Sequence, residues 1–197
     1  PFFRDVDLEA WGVEWVESSY ALAHPLEDGP PAMLSPLVDE TVATLGPDAQ
    51  AYRDLVEPFL DHAATLFEEI LKPIRVPSHP VLLGRFGLVG LRSCEGFVED
   101  QFRGEAARAI FTGCAAHSVM PMDRAATASF GLVLMLAAHE VGWPLARGGS
   151  ATIVSALAAC LASHGGEIHT GHRVRSMRDV PDSRVVLFDL TPRQIVR

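Results

Sequence analysis

The chain has 197 residues, 48% of them hydrophobic, and a formal net charge of −9. That length suits one globular domain or parts of two. The acidic balance, with no basic stripe of interleaved aromatics, excludes a nucleic-acid partner.

In chain order, residues 1–34 are mixed and turn-rich. Val13–Val16 alternates weakly, Tyr20–His24 reads as a second extended stretch, and Glu27-Asp28-Gly29-Pro30-Pro31 is a turn signal. Ala32-Met33-Leu34 then returns as the second arm of a hairpin. Helices dominate from Pro36. Leu37–Leu45 is one short candidate, closed by Gly46. Asp48–Leu71 is a longer one, with Tyr52, Leu55, Val56, Phe59, Ala63, Leu66 and Ile70 at helical spacing and Pro58 placed to kink or divide it. Residues 73–80 carry three prolines and form a connector.

Val81–Leu91 is apolar, and Gly84, Gly87 and Gly90 recur on or near one helix face. That face serves either plain helix packing or close approach of a flat ligand. Ser93–Phe102 and Glu105–His117 are further helices joined at Gly104. Asp123–Val141 is apolar nearly all round, which implies burial on several sides. Phe86, His117, Met120, Met122 and Met135 are the candidate walls of an apolar groove between these helices, because Met and Phe adapt to irregular apolar ligands. The alternative is a closed core, and for His117 a helix-capping role.

The stretch that organises the rest is residues 142–177. Gly142-Trp143-Pro144-Leu145-Ala146-Arg147-Gly148-Gly149-Ser150 is an extended entry punctuated by Pro144 and a glycine pair. Ile153, Ala156, Leu157, Cys160 and Leu161 repeat as one apolar helix face, and Gly165-Gly166 stops that helix. Ile168 and Val174 then sit in short extended segments near 167–178. Arg184–Leu190 reads as a further strand, and Thr191-Pro192 as a helix start.

Gly-Trp-Pro-x-x-Arg-Gly-Gly-Ser at 142–150, the small-residue helix, His164-Gly165-Gly166-Glu167-Ile168, Val174 and the strand running into Thr191-Pro192 together resemble the phytoene desaturase-like flavoprotein oxidoreductases, relatives of the amine oxidases. The resemblance covers the point where the chain returns from the substrate domain to the FAD domain. It implies an α+β fold: a mostly helical substrate domain with a small antiparallel sheet over residues 1–141, and a C-terminal piece of a Rossmann-like FAD domain over 142–197. It also implies that Arg147, Gly148 and Gly149 pass close to the flavin and substrate. In the same way the Val174 strand would run past the adenine of FAD, with Thr191 and Pro192 forming the family's next turn. The activity implied is hydride transfer between an apolar small-molecule substrate and flavin.

The dinucleotide fingerprint Gly-x-Gly-x-x-Gly after a strand is absent, since Gly84, Gly87 and Gly90 have the wrong spacing and no strand before them. The chain therefore reads as the middle of a longer flavoprotein, one that holds FAD poorly and is inactive by itself. No Ser-His-Asp set or Gly-x-Ser-x-Gly elbow marks a catalytic residue, and no histidine spacing marks a metal site. Cys94, Cys114 and Cys160 are widely spaced, which fits neither a zinc cage nor a disulfide framework but does fit a reducing, cytoplasmic compartment. No run reaches the roughly 18 apolar residues of a membrane span. The extended segments within 165–190 would leave unpaired edges, so the chain is expected to form a dimer or larger assembly through them. Two other readings remain open: a cofactor-free helical binding module, and a non-redox isomerase that uses flavin.

Overall fold

In the computed structural model, which describes residues 2–73 and 75–196, three apolar helices wrap a fourth. The central one is α8 (Thr127–Val141), with Thr127, Ala128, Gly131, Leu132, Met135, Leu136 and Ala138 buried. Its apolar residues occur all round the helix, as the sequence pattern predicts, so several flanks need partners, while Phe130 and Val141 stay exposed. The partners are α7 (Glu105–Ala115), α5 (Pro80–Gly90) and α3 (Ala49–Leu60), with α4 (Ala63–Ile70) and α6 (Cys94–Gln101) touching it more lightly. Short helices α1 (Phe2–Val6) and α2 (Val38–Val42) precede these, and α9 (Ala151–Ser163) and α10 (Pro192–Ile195) follow.

The long candidate helix over 48–71 is divided. A 3-10 turn at Gly46–Asp48 leads into α3, and the chain breaks at Asp61-His62 before α4 begins. Pro58 lies inside α3, three residues before the break. A proline there removes one ladder N–H and strains the turn before it, which weakens the helix just where it ends. Asp48 is buried, and its carboxylate accepts from the N–H groups of Arg103 (2.8 Å) and Gly104 (2.6 Å). One side chain thereby ties the start of α3 to the entry of α7.

The expected single small sheet is two two-stranded sheets. β2 (Leu22–His24) pairs antiparallel with β3 (Ala32–Leu34) around the Gly29-Pro30 turn, in the register Leu22↔Leu34. β1 (Trp15–Val16) instead pairs with β4 (Leu145–Ala146), far along the chain. Local hydropathy cannot reveal a ladder closed across that separation.

The chain separates into two compact units, Val13–Thr152 and Pro1–Gly12 with Ile153–Arg197. In the second, α9 ends as the Gly165-Gly166 pair requires. Gly165 adopts φ 78°, its N–H donates to Ala162, and the Gly166 N–H reaches back to Leu161. This is the paired closure of a helix end by a left-handed glycine. The strands expected near 167–178 and 184–190 are a correction. Among the described residues these segments carry no ladder. Ile168, Val174, Val185 and Leu187 are exposed. Extended residues become a strand only when a neighbour accepts their backbone hydrogen bonds, and no described segment supplies one. What order they have is local. Asp179 accepts from the N–H groups of Arg175 and Ser176, and those bonds hold its carboxyl below the usual carboxylate range. Thr191 and Gln194 cap α10 reciprocally, with Pro192 at its first position.

Packing of α7 on α8 rests on one glycine. A Cβ on Gly131 would lie 2.7 Å from Cε1 of the fully buried Phe111. Gly84 on α5 has open space instead. Gly131→Ala is expected to lower stability, because overpacking costs roughly 1–3 kcal/mol. Gly84→Ala should raise it by up to about 1 kcal/mol, since only helix propensity changes. Thermal melts of the two variants check both signs.

Candidate functional site

The double-glycine loop follows α8. Gly142 ends that helix at φ 68°, with its N–H donating to Ala138. Trp143-Pro144 then leads into β4. The ladder between β1 and β4 is extended by the Arg147 N–H, which donates to the Glu14 carbonyl at 2.8 Å. The Arg147 guanidinium Nε also meets a Glu14 carboxylate oxygen at 2.7 Å, in a pair open to solvent. Such an exposed pair orients the side chain more than it stabilises the fold.

The chain turns directly after this pair. Gly149 N–H donates to Ala146 at 2.9 Å, with Gly148 at φ 84° and Gly149 at φ 93°. Only glycine takes two successive left-handed positions without strain. The Gly149 carbonyl accepts from both the N–H and the hydroxyl of Thr152, which opens α9. A Cβ on Gly148 would press on the Thr152 methyl at 3.2 Å, whereas one on Gly149 would meet nothing within 4 Å. The Cβ direction at Gly149 thus points into open space, as it does at Gly142.

The remaining residues expected at a cofactor lie in the other unit. Val174 is half exposed in irregular backbone, and Thr191 and Pro192 form the N-terminus of α10. The residues expected at the cofactor are thus divided between the double-glycine loop and the other unit. The sequence has no glycine cradle after a strand to hold a pyrophosphate.

The expected groove residues separate. Phe86 borders an apolar concavity of about 630 Å³ along α5, walled by Leu83, Gly87, Leu88 and Leu91 and by Ala126 and Ser129 at the start of α8. Met122 borders a different, more polar hollow beside Glu95, Glu99 and Arg108. His117 and Met120 stand on an exposed turn that follows α7. Met135 is a correction. It is fully buried in the core, because α8 turns that face toward its neighbours and not toward a cavity.

One polar pair has no part in the sequence analysis. The Tyr52 hydroxyl on α3 and His139 Nε2 on α8 are 2.8 Å apart, and His139 Nδ1 is 3.1 Å from the Pro36 carbonyl. A carbonyl only accepts, so Nδ1 carries the proton and Nε2 accepts from Tyr52. Tyr52 is completely buried, and burial pushes its phenol far above the usual range. Burial also raises the Cys114 thiol, to about 12, which makes it an inert core residue. A histidine near a helix end and a tyrosine 87 residues earlier give no local signal of this contact. No cluster of metal-ligating side chains occurs among the described residues. The buried side-chain polar atom left without a partner is His24 Nε2, which faces the space that Gly113 leaves open in α7.

Burial lowers the His139 pKa, against the opposing pull of the Pro36 and Ser35 carbonyls. Unfolding then takes up a proton as the solution is acidified. The contribution is whole above about pH 6.5, the ordinary histidine value, and is lost as pH falls toward the folded value. The melting temperature should therefore drop more steeply between about pH 7 and about pH 5 in the native chain than in His139→Gln, followed by circular dichroism.

Comparison with known families gives one match: the family described as flavin containing amine oxidoreductase, over residues 31–196. No curated protein and no solved structure matches the chain. The match takes in nearly all of the helical unit, the double-glycine loop and the Thr191-Pro192 turn, and the chain belongs to the flavin-containing amine oxidoreductases, a family of flavin-dependent oxidoreductases.

Proposed function

We propose that this chain is the substrate-binding part of an FAD-dependent, phytoene dehydrogenase-like oxidoreductase, with a return segment of its FAD domain, acting on an apolar small molecule. The observation that carries the reading is the left-handed double-glycine turn at Gly148-Gly149, open at Gly149, inside the stretch that matches the flavin family. Bound FAD would supply the hydride-accepting or hydride-donating centre. The chain's own residues supply shape. Gly149 leaves open space for a flat ring, Arg147 is oriented beside it by Glu14, and Val174, Thr191 and Pro192 are the proposed neighbours of the rest of the cofactor. The apolar concavity along α5, with Phe86 in its wall, has a size suited to a small organic substrate. The sequence holds no Gly-x-Gly-x-x-Gly segment to cradle a pyrophosphate, so this chain alone should hold FAD weakly and turn over no substrate. Unpaired thiols at Cys94, Cys114 and Cys160 support a reducing, cytoplasmic setting.

The protein expressed from its whole natural gene should show a visible flavin band, and an apolar hydride donor should bleach it without oxygen. Gly149→Val should lower flavin occupancy about tenfold, by filling the approach and by straining a backbone held at φ 93°. A colourless protein would instead favour a cofactor-free binding module. A flavin band that turnover leaves unbleached would favour isomerase chemistry.

The reading extends to assembly. Ile168, Val174, Val185 and Leu187 stand exposed in backbone that carries no ladder among the described residues, which leaves it open to a second copy. The chain should run as a dimer or larger by light scattering, and charged substitutions at Val174 and Leu187 should convert it to monomer.

A further inference from the structure

The helical unit has a second concavity, of about 590 Å³, where α4, the 75–79 connector and the start of α5 meet. Its polar lining is His62, Thr65, Ser78, His79 and Arg85, and its apolar wall is Pro80, Val81 and Leu82. Lys72 and Arg75 lie on the same stretch of chain. Lys72 is paired with Glu68 at 2.9 Å and Arg75 lies 3.6 Å from Glu69, so among the described residues Arg85 is the cation at the cavity left without a carboxylate partner.

The cavity is built on one buried carboxylate. The Glu69 side chain is only 4% exposed. It accepts from the Ser78 N–H at 3.2 and 3.3 Å, meets His79 Nδ1 at 3.2 Å and sits 3.6 Å from the Arg75 guanidinium. These contacts dock the proline-rich connector onto α4 and fix the His79 ring through one nitrogen, which leaves Nε2 free. They also consume the negative charge of Glu69 within the protein. The side chains on the cavity side are unspent. His62, Thr65 and Arg85 make no side-chain hydrogen bond or ion pair with any described residue, and neither does the Ser78 hydroxyl. Pro80 opens α5 without an N–H, so the first-turn donors next to the cavity are the N–H groups of Val81 and Leu82.

We infer that this cavity binds the phosphoryl group of a small organic phosphate monoester. Arg85 supplies a permanent charge and a planar fork that matches two oxygens of a phosphate. Thr65, Ser78 and the two backbone N–H groups supply neutral donors from other directions. A tetrahedral oxyanion can use donors arriving from several sides, whereas a carboxylate presents only two oxygens in one plane. The volume exceeds what a bare phosphate needs, and Pro80, Val81 and Leu82 line the rest with apolar surface for an organic remainder. The inference stands apart from the flavin reading, since neither the site nor its test involves a flavin.

Calorimetric titration of the full chain tests it, with phenyl phosphate, inorganic phosphate and benzoate as probes. Phenyl phosphate should bind at least about tenfold tighter than either of the other two. Arg85→Met should weaken it at least about tenfold again, and Thr65→Val severalfold. Both variants should melt with the native chain, because neither side chain has a protein partner to lose. Absence of binding by the native chain, equal binding of benzoate, equal binding of inorganic phosphate, or an Arg85→Met variant of native affinity would each overturn the assignment.

Discussion

The close approach of α7 to α8 at Gly131 is the constraint on which the helical unit depends. Phe111 occupies the volume a side chain at residue 131 would need, and it stacks at 4.7 Å on Phe97 of α6, with Phe102 nearby. Three helices are thereby locked through one aromatic cluster. Because α8 is apolar on several flanks, α5 and α3 close over further faces. Thr127 fastens its start. The hydroxyl accepts from the Cys94 N–H at 2.8 Å and donates to the Arg124 carbonyl at 2.7 Å. The α5–α6 connector is also stitched to the start of α8 by the Ala126 N–H to Leu91 and the Ala128 N–H to Arg92.

That frame holds both proposed sites at its margins. The double-glycine loop leaves from the end of α8 and is held by a ladder to β1. The polar cavity opens at the other end of α5 from Gly90, whose own close contacts are Phe86 and Ser129. Each site borrows its geometry from a helix that is buried for other reasons. Each also offers something the fold does not use: open space at Gly149, and an unpaired guanidinium at Arg85.

The two units differ in what organises them. Val13–Thr152 has the continuous core, from Ala32 and Leu34 through Tyr52 and Phe111 to Leu136. Residues 166–191 depend on caps and turns, such as the Asp179 carboxylate over the Arg175 and Ser176 amides. Apolar residues at alternate positions, Val185 and Leu187 among them, are patterned for burial that the described residues do not provide.

Periodicity and punctuation alone determined much of this protein. The apolar repeats located the helices between residues 48 and 163, Ser93 stood at a helix start, Gly165-Gly166 marked a stop, and Gly148-Gly149 punctuated the entry to α9. These are local properties, set by hydrogen-bond spacing, missing N–H groups and the absence of a Cβ. Family membership was legible for the same reason, being written in contiguous residues at 142–150 and 191–192. Only the tertiary structure decided the rest. It paired β1 with β4, sealed Met135 in the core while exposing His117, joined Tyr52 to His139, and gathered His62, Ser78 and Arg85 around one cavity. Those relations join residues far apart in the chain, and their energy comes from desolvation and shape, which no local window of sequence records.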